Sequence, residues 1–275
     1  MTVTQTTFDL DPASLTGPLG AHHHVRFAVE GPELLVHFAT APKGMDADHH
    51  HSALEVQARQ RGWSLLTIIA EFGHDFRAPD VIAFFDRCVD GAVFDQFEET
   101  LFYGDQEGGY AALCYALAAP AARIVTVMPK APDQILEARY LPEAANLAVA
   151  SRLVWLTDPT SDAAMTPDPP AQVVRNRFLE PGPEKRLLRY GAFWALLDGA
   201  MNHGVAASQI HSAIRARRGD RLYIRRLAAQ CISAKKFSRA AVVTGSFAKR
   251  TGHKRFRDSY AKMIEEHDLK GFSKI

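Results

Sequence analysis

The sequence is poor in cysteine and has no long apolar run, and both absences narrow what the chain can be. Its three cysteines, Cys88, Cys114 and Cys231, form no CxxC pair, which predicts buried reduced thiols rather than a disulfide framework. No stretch approaches the ~20 apolar residues that a membrane-spanning helix needs. The segment Met1–Gln5 lacks the basic and apolar regions of a secretory signal. We therefore expect a cytoplasmic protein without a membrane partner.

Recognised nucleotide-binding and metal-binding motifs are also missing. Neither G-x-x-x-x-G-K-[ST], G-x-G-x-x-G nor HExxH occurs, so the sequence predicts no nucleotide site of the common types. The loop MDADHHH offers Asp46, Asp48, His49 and His51 as weak candidate metal ligands. Neighbouring residues point in different directions, so three consecutive histidines rarely share one ion. The sequence favours a polar loop, and we expect no metal and no cofactor.

Charge is unevenly distributed although the net charge is only +1. Residues 201–275 carry 17 basic and five acidic residues, whereas the rest of the chain carries 15 basic and 26 acidic residues. This asymmetry and a change in pattern predict a lead-in at 1–20, an α/β domain at 21–204 and a basic helical region at 205–275. Basic segments of the tail suit phosphate contacts, but no nucleic-acid motif accompanies them. The sequence thus favours packing of the tail on the acidic core, within one chain or across a homodimer, over nucleic-acid binding.

Apolar runs and helical spacings alternate through the first 200 residues. The first two predicted strands, at 24–30 and 33–40, are separated by Gly31-Pro32, which predicts a β-hairpin. The further strands and helices alternate, which predicts an α/β fold with a mostly parallel sheet in a three-layer αβα sandwich. Loops at the carboxyl ends of such strands converge on the ligand site. These further strands are at 63–70, 100–104, 122–129, 151–159 and 171–180, and helices are predicted at 52–60, 79–97 and 108–119.

The segment LFYGDQEGGYAAL, residues 101–113, has an apolar strand, a turn with flanking glycines and a helix of small residues. Gly104 and Gly108, followed by GYAA, resemble the G-x-S-x-G-G-Y-A-A nucleophile elbow of bacterial members of the α/β-hydrolase superfamily. The elbow is so sharp that a Cβ at the flanking positions would collide with the strand or the helix. The resemblance extends over about residues 24–200 and implies an α/β-hydrolase-like fold.

The same resemblance implies a degenerate catalytic triad. Gln106 stands where the family has its nucleophile, and an amide does not attack under these conditions. Asp158 or Asp162 stands where the family's acid follows a late strand, but residues 180–184 contain no histidine at the position of the family's base. His74, after the central strand, is the candidate for an atypical general base acting on water near Gln106.

Charged residues around the elbow are candidates for ligand binding. Asp105 and Glu107 flank Gln106 between Gly104 and Gly108, and Lys130 and Arg77 would offset their charge or bind an anion. The sequence favours a catalytically altered or inactive hydrolase-like protein that binds a small molecule or a protein partner. An active hydrolase of ester-type bonds with an atypical site, and an adaptor that binds nucleic acid or a partner through the basic tail, are the alternatives.

Overall fold

In the part of the chain that the structure describes, eight strands form a single sheet. A computed structural model describes residues 11–51, 53–119, 121–135, 137–148, 150, 152–161, 165, 171–180, 182–202 and 207–273. Most strands are short and rich in β-branched and aromatic residues, as expected for buried strands. They are β1 (Gly17–Leu19), β2 (His23–Ala28), β3 (Glu33–Thr40), β4 (Ser64–Ala70), β5 (Glu99–Asp105), β6 (Arg123–Val127), β7 (Arg152–Thr157) and β8 (Gln172–Arg175).

The strands lie in the order β1-β2-β4-β3-β5-β6-β7-β8. β1 and β2 are antiparallel to their neighbours, and every other adjacent pair is parallel. The carboxyl ends of β3 to β8 therefore lie at one edge of the sheet. This arrangement confirms the predicted mostly parallel sheet.

The prediction that the strands at 24–30 and 33–40, now β2 and β3, pair as a β-hairpin is wrong. β4 lies between β2 and β3, pairing antiparallel with β2 and parallel with β3. The reason is burial: β2 alternates between buried and half-buried residues, whereas the middle of β3 is buried on both faces. A strand that is apolar on both faces needs a neighbour on each side and helices above and below it, so β3 takes a central position.

Helices cover both faces of the sheet. One face packs against the helices Pro79–Asp90 and Gln106–Tyr115, with Phe38, Phe102 and Trp155 in the core between them. The other face packs against the helices Ala53–Gln60, Pro183–Arg189 and Ala192–Met201, with Leu35, Leu101 and other strand residues in the core. The three-layer αβα sandwich is thus confirmed. The helices are α1 (Pro12–Leu15), α2 (Ala53–Gln60), α3 (Pro79–Asp90), α4 (Gln106–Tyr115), α5 (Ala144–Leu147), α6 (Pro183–Arg189), α7 (Ala192–Met201), α8 (Ala207–Ile214), α9 (Arg221–Ser233), α10 (Phe237–Thr251) and α11 (Lys254–Glu266).

The last three helices form small apolar clusters of their own. Tyr223 of α9 belongs to one such cluster and Tyr260 of α11 to the other. At their junction with the sandwich, the Tyr223 ring meets Phe178 edge to face, with 5.6 Å between centroids, and Arg189 forms an ion pair with Asp220 at 2.5 Å. The tail therefore contacts the α/β part of the same chain. None of the helices in the described part of the chain has the length and hydropathy of a membrane span.

Candidate functional site

The turn between β5 and α4 holds a side chain in a strained backbone conformation. β5 ends at Asp105 and α4 begins at Gln106, whose φ of 50° lies in the left-handed region. This region costs a non-glycine residue about 1–2 kcal/mol. The turn has the sharp strand-to-helix geometry that exposes a nucleophile in α/β hydrolases, with Gln106 at its apex.

Two glycines make this turn possible. A Cβ at Gly104 would lie 2.2 Å from the carbonyl oxygen of Gly108, and a Cβ at Gly108 would lie 2.6 Å from that of Phe38. Carbon and oxygen atoms do not approach so closely without bonding, so any side chain at either position would push the backbones apart. The glycine spacing in the sequence thus reflects direct backbone contact of α4 with β5 and β3.

Gln106 borders a cleft at the carboxyl edge of the sheet. The cleft has a volume of about 650 Å³, and a neighbouring cleft has a volume of about 680 Å³. The two clefts share Thr40, Phe72 and Glu107. Phe72, which is 59% exposed, therefore stands between them. We call the cleft at Gln106 the elbow cleft and the other one the second cleft. Both lie where open α/β sheets bind their ligands.

Two carboxyl groups meet in the wall of the elbow cleft. The backbone N–H of Glu184 donates to Oδ2 of Asp105 at 3.3 Å, and the Tyr103 hydroxyl donates to Oε2 of Glu184 at 2.9 Å. Burial raises the pKa of Asp105 to about 6. Burial, and then the charge of Asp105, raise the pKa of Glu184 to about 7. Near neutral pH this acidic pair therefore holds a proton that carboxyl groups in water would have released.

A buried histidine lies beside the acidic pair. His37 Nε2 is 3.8 Å from Glu184 Oε2, and the His37 ring stacks on Tyr103 with 5.4 Å between centroids. Burial lowers the pKa of His37 to about 3, so its ring is neutral at pH 7. The cluster thus combines a neutral imidazole, a phenol and two carboxyl groups whose pKa values lie near neutral pH, which suits proton transfer to or from a bound molecule.

Sequence reasoning missed Glu184, His37 and Tyr103. The register of β3 and β5 places His37 opposite Tyr103. This pairing requires β3 to lie beside β5, and the predicted hairpin does not give that strand order. A signal for Glu184 was available, because it follows β8, where the loops of parallel strands converge. The segment 180–184 lacks the histidine of the family's base, so the resemblance assigns no role to Glu184.

The predicted acid of the triad, Asp158, accepts hydrogen bonds from two loops. Asp158 is buried, and its oxygens accept hydrogen bonds from the backbone N–H and hydroxyl of Thr160, at 2.8 and 2.5 Å, and from the N–H of Leu179 at 2.8 Å. It therefore connects the loops that follow β7 and β8. Asp162 lies outside the described residues.

The other predicted site residues are dispersed. His74 lines the second cleft and Gln106 the elbow cleft, so the structure does not bring them into one cleft. Lys130 forms an ion pair with Glu107 at 3.0 Å and lines the second cleft. Arg77 is buried and donates to the backbone carbonyls of residues 137 and 139. It therefore holds a loop and lines neither cleft.

Of the candidate metal ligands at 46–51, Asp46, Asp48 and His49 lie together, whereas His51 pairs with a different residue. His49 Nδ1 lies 2.9 Å from Asp48 and 3.7 Å from Asp46, whereas His51 lies 3.4 Å from Glu55. A second group of potential ligand atoms consists of His22, Glu71 and His74. The sequence does not predict this group, because His22 and His74 are far apart in the chain.

Arginines of the basic tail donate to backbone carbonyl groups. Arg226 donates to Glu180, Arg217 to Ile214, and Arg250 to Arg218. These contacts fix the tail helices to one another and to the loop after β8. Part of the basic charge therefore has a structural role.

The strand order, the antiparallel first strands and the strained glycine-flanked turn define an α/β-hydrolase fold. The resemblance found in the sequence thus holds for the architecture.

Comparisons with known proteins find structural similarity but no sequence match. Neither family models nor curated proteins match the sequence. Similar solved structures include a glycosylation associate protein (Gap123) complex from Streptococcus agalactiae, with 9% identity and a TM-score of 0.41 over 69% of this chain and 47% of that one. The chain thus spans about half the length of that protein.

Two further similar structures are hydrolases. An α/β serine hydrolase without a lid from Xanthomonas campestris has 14% identity and a TM-score of 0.37, over 59% of this chain and 81% of that one. A Thermogutta terrifontis esterase 2 phosphonylated by cyclosarin has 11% identity and a TM-score of 0.37, over 68% and 94%. At such identities a likeness concerns the fold and carries no activity over to this chain.

Proposed function

We propose that this chain is a catalytically altered relative of the α/β hydrolases that binds a small molecule over Gln106 without forming a covalent bond to it. The observation that carries the proposal is the strained turn at Gln106, at the edge of a cleft of about 650 Å³. The strain presents a side chain whose amide has no nucleophilic atom. Strained conformations of this kind cluster at functional sites, and glycine would remove the strain.

The elbow cleft offers hydrogen-bond donors to a carbonyl or carboxylate group. Backbone N–H groups in the first turn of α4 have no acceptor within the helix, and the helix dipole favours negative charge there. Gln106 adds a side-chain amide, and Lys43 and Lys185 contribute cations to the cleft wall. The ligand class that fits these donors is a small carboxylate or carbonyl compound.

Labelling and ligand binding of the full chain test the proposal together. A serine-reactive phosphonate is expected to leave the wild type unlabelled, and short-chain carboxylates are expected to raise its melting temperature. Gln106→Ala is expected to weaken carboxylate binding about tenfold, because a hydrogen bond to a charged group is lost. Gln134→Ala, in the wall of the second cleft, is the control and keeps the wild-type affinity.

Two outcomes would contradict the proposal. Stoichiometric phosphonate labelling of the wild type would show an active nucleophile. Equal carboxylate affinity of the wild type and Gln106→Ala would place the ligand elsewhere.

One observation favours a second function, hydrolysis by acid–base groups in place of a nucleophile. Asp105 and Glu184 meet in the cleft wall with pKa values raised to about 6 and about 7 by burial, and groups that titrate near the working pH make efficient general acids and bases. Hydrolysis of p-nitrophenyl esters between pH 5 and 8 that disappears in Glu184→Gln would support it. A wild type without turnover above the buffer rate would exclude it for esters of this type.

A further inference from the structure

Two histidines and a glutamate converge at one end of the β2–β4 pair. His22 directly precedes β2 and Glu71 directly follows β4, and the backbone N–H of Glu71 donates to the His22 carbonyl at 2.9 Å. This bond continues the antiparallel ladder in which His23 faces Ala70. The ladder therefore places His22 and Glu71 opposite each other, where side chains of antiparallel strands lie on the same face.

A tight turn returns the second histidine to the same place. The His74 N–H donates to the Glu71 carbonyl at 3.1 Å across Gly73, whose φ is 93°. The ring of His23, buried on the other side, contacts the Asp75 carbonyl through Nε2 at 2.7 Å. The backbone that carries His74 is thus held from two sides.

The side chains have the spacing of ligands around one ion. His22 Nδ1 lies 2.9 Å from Glu71 Oε2, and the rings of His22 and His74 stack with 3.8 Å between centroids. One ligand atom of each residue lies within 4.8 Å of those of the other two. Ligands at about 2.0–2.2 Å from a tetrahedral metal are about 3.3 Å apart. Small rotations of these partly exposed side chains therefore suffice for shared coordination.

We propose that His22, Glu71 and His74 bind a divalent transition metal ion, with Zn²⁺ as the expected occupant. Two imidazoles and one carboxylate suit zinc and its neighbours better than magnesium or calcium, which prefer oxygen ligands. Because His74 also lines the second cleft, a fourth coordination position on that side is accessible to water or to a small ligand. The site is separate from the elbow cleft, so the metal-binding proposal does not depend on the proposed function.

The group Asp46, Asp48 and His49 provides a matched control. It has one imidazole in place of two, and the side chains of Asp46 and His49 are 75% and 70% exposed. We expect no comparable affinity there. Substitutions in this group test whether any metal binding is a general effect of exposed acids and histidines.

Titration of the untagged full chain with Zn²⁺, followed by calorimetry, tests the proposal. The wild type is expected to bind one equivalent, and His22→Ala and His74→Ala are each expected to lower the affinity at least about tenfold, since one ligand is lost. His49→Ala is expected to bind like the wild type. Co²⁺ in place of Zn²⁺ is expected to give visible absorption bands in the wild type that are lost in His74→Ala.

Unchanged melting temperatures without metal show that the variants fold, as expected for changes at exposed side chains. The proposal is overturned if the wild type binds no Zn²⁺ at micromolar concentrations. It is also overturned if a His22→Ala/His74→Ala double variant retains the affinity, or if His49→Ala alone abolishes it.

Discussion

At the scale of single residues, Gly104 sets the distance between β5 and α4. Its missing Cβ would lie 2.2 Å from the carbonyl oxygen of Gly108, so alanine forces two backbones apart. Gly104→Ala is expected to lower the free energy of unfolding by about 3 kcal/mol, the upper range for overpacking a core. Chemical denaturation measures the change. Gly219→Ala, where a Cβ meets no atom within 4 Å, is expected to be near neutral, and equal effects of the two substitutions would refute the contact.

The acidic pair makes stability depend on pH in a defined direction. The pKa values of Asp105 and Glu184 rise from 3.8 and 4.5 to about 6 and about 7 on burial. Between about pH 4 and pH 7 the folded chain thus holds more protons than the unfolded chain. The pair's contribution to stability is greatest below pH 4 and is lost as the pH rises to 7. His37 acts in the opposite sense, because burial lowers its pKa from 6.5 to about 3 and its contribution is lost as the pH falls.

Glu184→Gln separates these opposing effects. It keeps the size of the side chain and removes its titration. The stability of the wild type relative to Glu184→Gln is therefore expected to fall between pH 4.5 and pH 7, by on the order of 1 kcal/mol per pH unit at the steepest point. Urea unfolding at several pH values measures this difference. Parallel curves for the two proteins would contradict it, and Glu265→Gln on the exposed surface of α11 is the control.

At the scale of elements, the turn into α4 stores strain that a substitution releases. Gln106 has a φ of 50°, which glycine adopts without a steric cost. Gln106→Gly is expected to raise the free energy of unfolding by about 0.5–1 kcal/mol, after the greater chain entropy of glycine is subtracted. Thermal unfolding measures the shift. Gln230→Gly, on the exposed side of α9, is expected to lower stability by about 1 kcal/mol; if both changes destabilise alike, the turn is not strained.

The same elements show which features the sequence could predict. The sequence predicts the elbow because its glycines and its apolar strand are close together in the chain. It predicts the parallel sheet because strands and helices alternate along the chain. Strand order was not found, because the insertion of β4 between β2 and β3 depends on long-range packing. Glu184 lies 79 positions from Asp105 in the sequence, and no periodic pattern connects them. Long-range convergence therefore explains most of what was missed in the candidate site.

At the scale of the whole molecule, the tail and the sandwich are expected to unfold together. Tyr223 packs on Phe178, and Arg226 donates to the Glu180 carbonyl. All three tryptophans lie within residues 63–194, outside the tail helices. Tryptophan fluorescence therefore reports on the sandwich, whereas circular dichroism also reports on α9 to α11. Coincident melting curves from the two probes are expected for a cooperative unit.

Tyr223→Ala tests the contact that couples the two parts. Loss of this ring is expected to lower the free energy of unfolding by about 2–4 kcal/mol. Both melting curves are therefore expected to shift together to lower temperature. Separate transitions in the wild type, with helix signal lost before tryptophan fluorescence changes, would mean that the tail folds independently.

The two edge strands of the sheet are short: β1 has three residues and β8 has four. Each outer strand therefore presents few unpaired backbone groups to another chain. Long flat edges invite strand addition and aggregation, and short ones discourage it. In the described part of the chain, two copies gain little from joining their sheets into one. Any association of two copies is therefore expected to use surfaces other than these two edge strands.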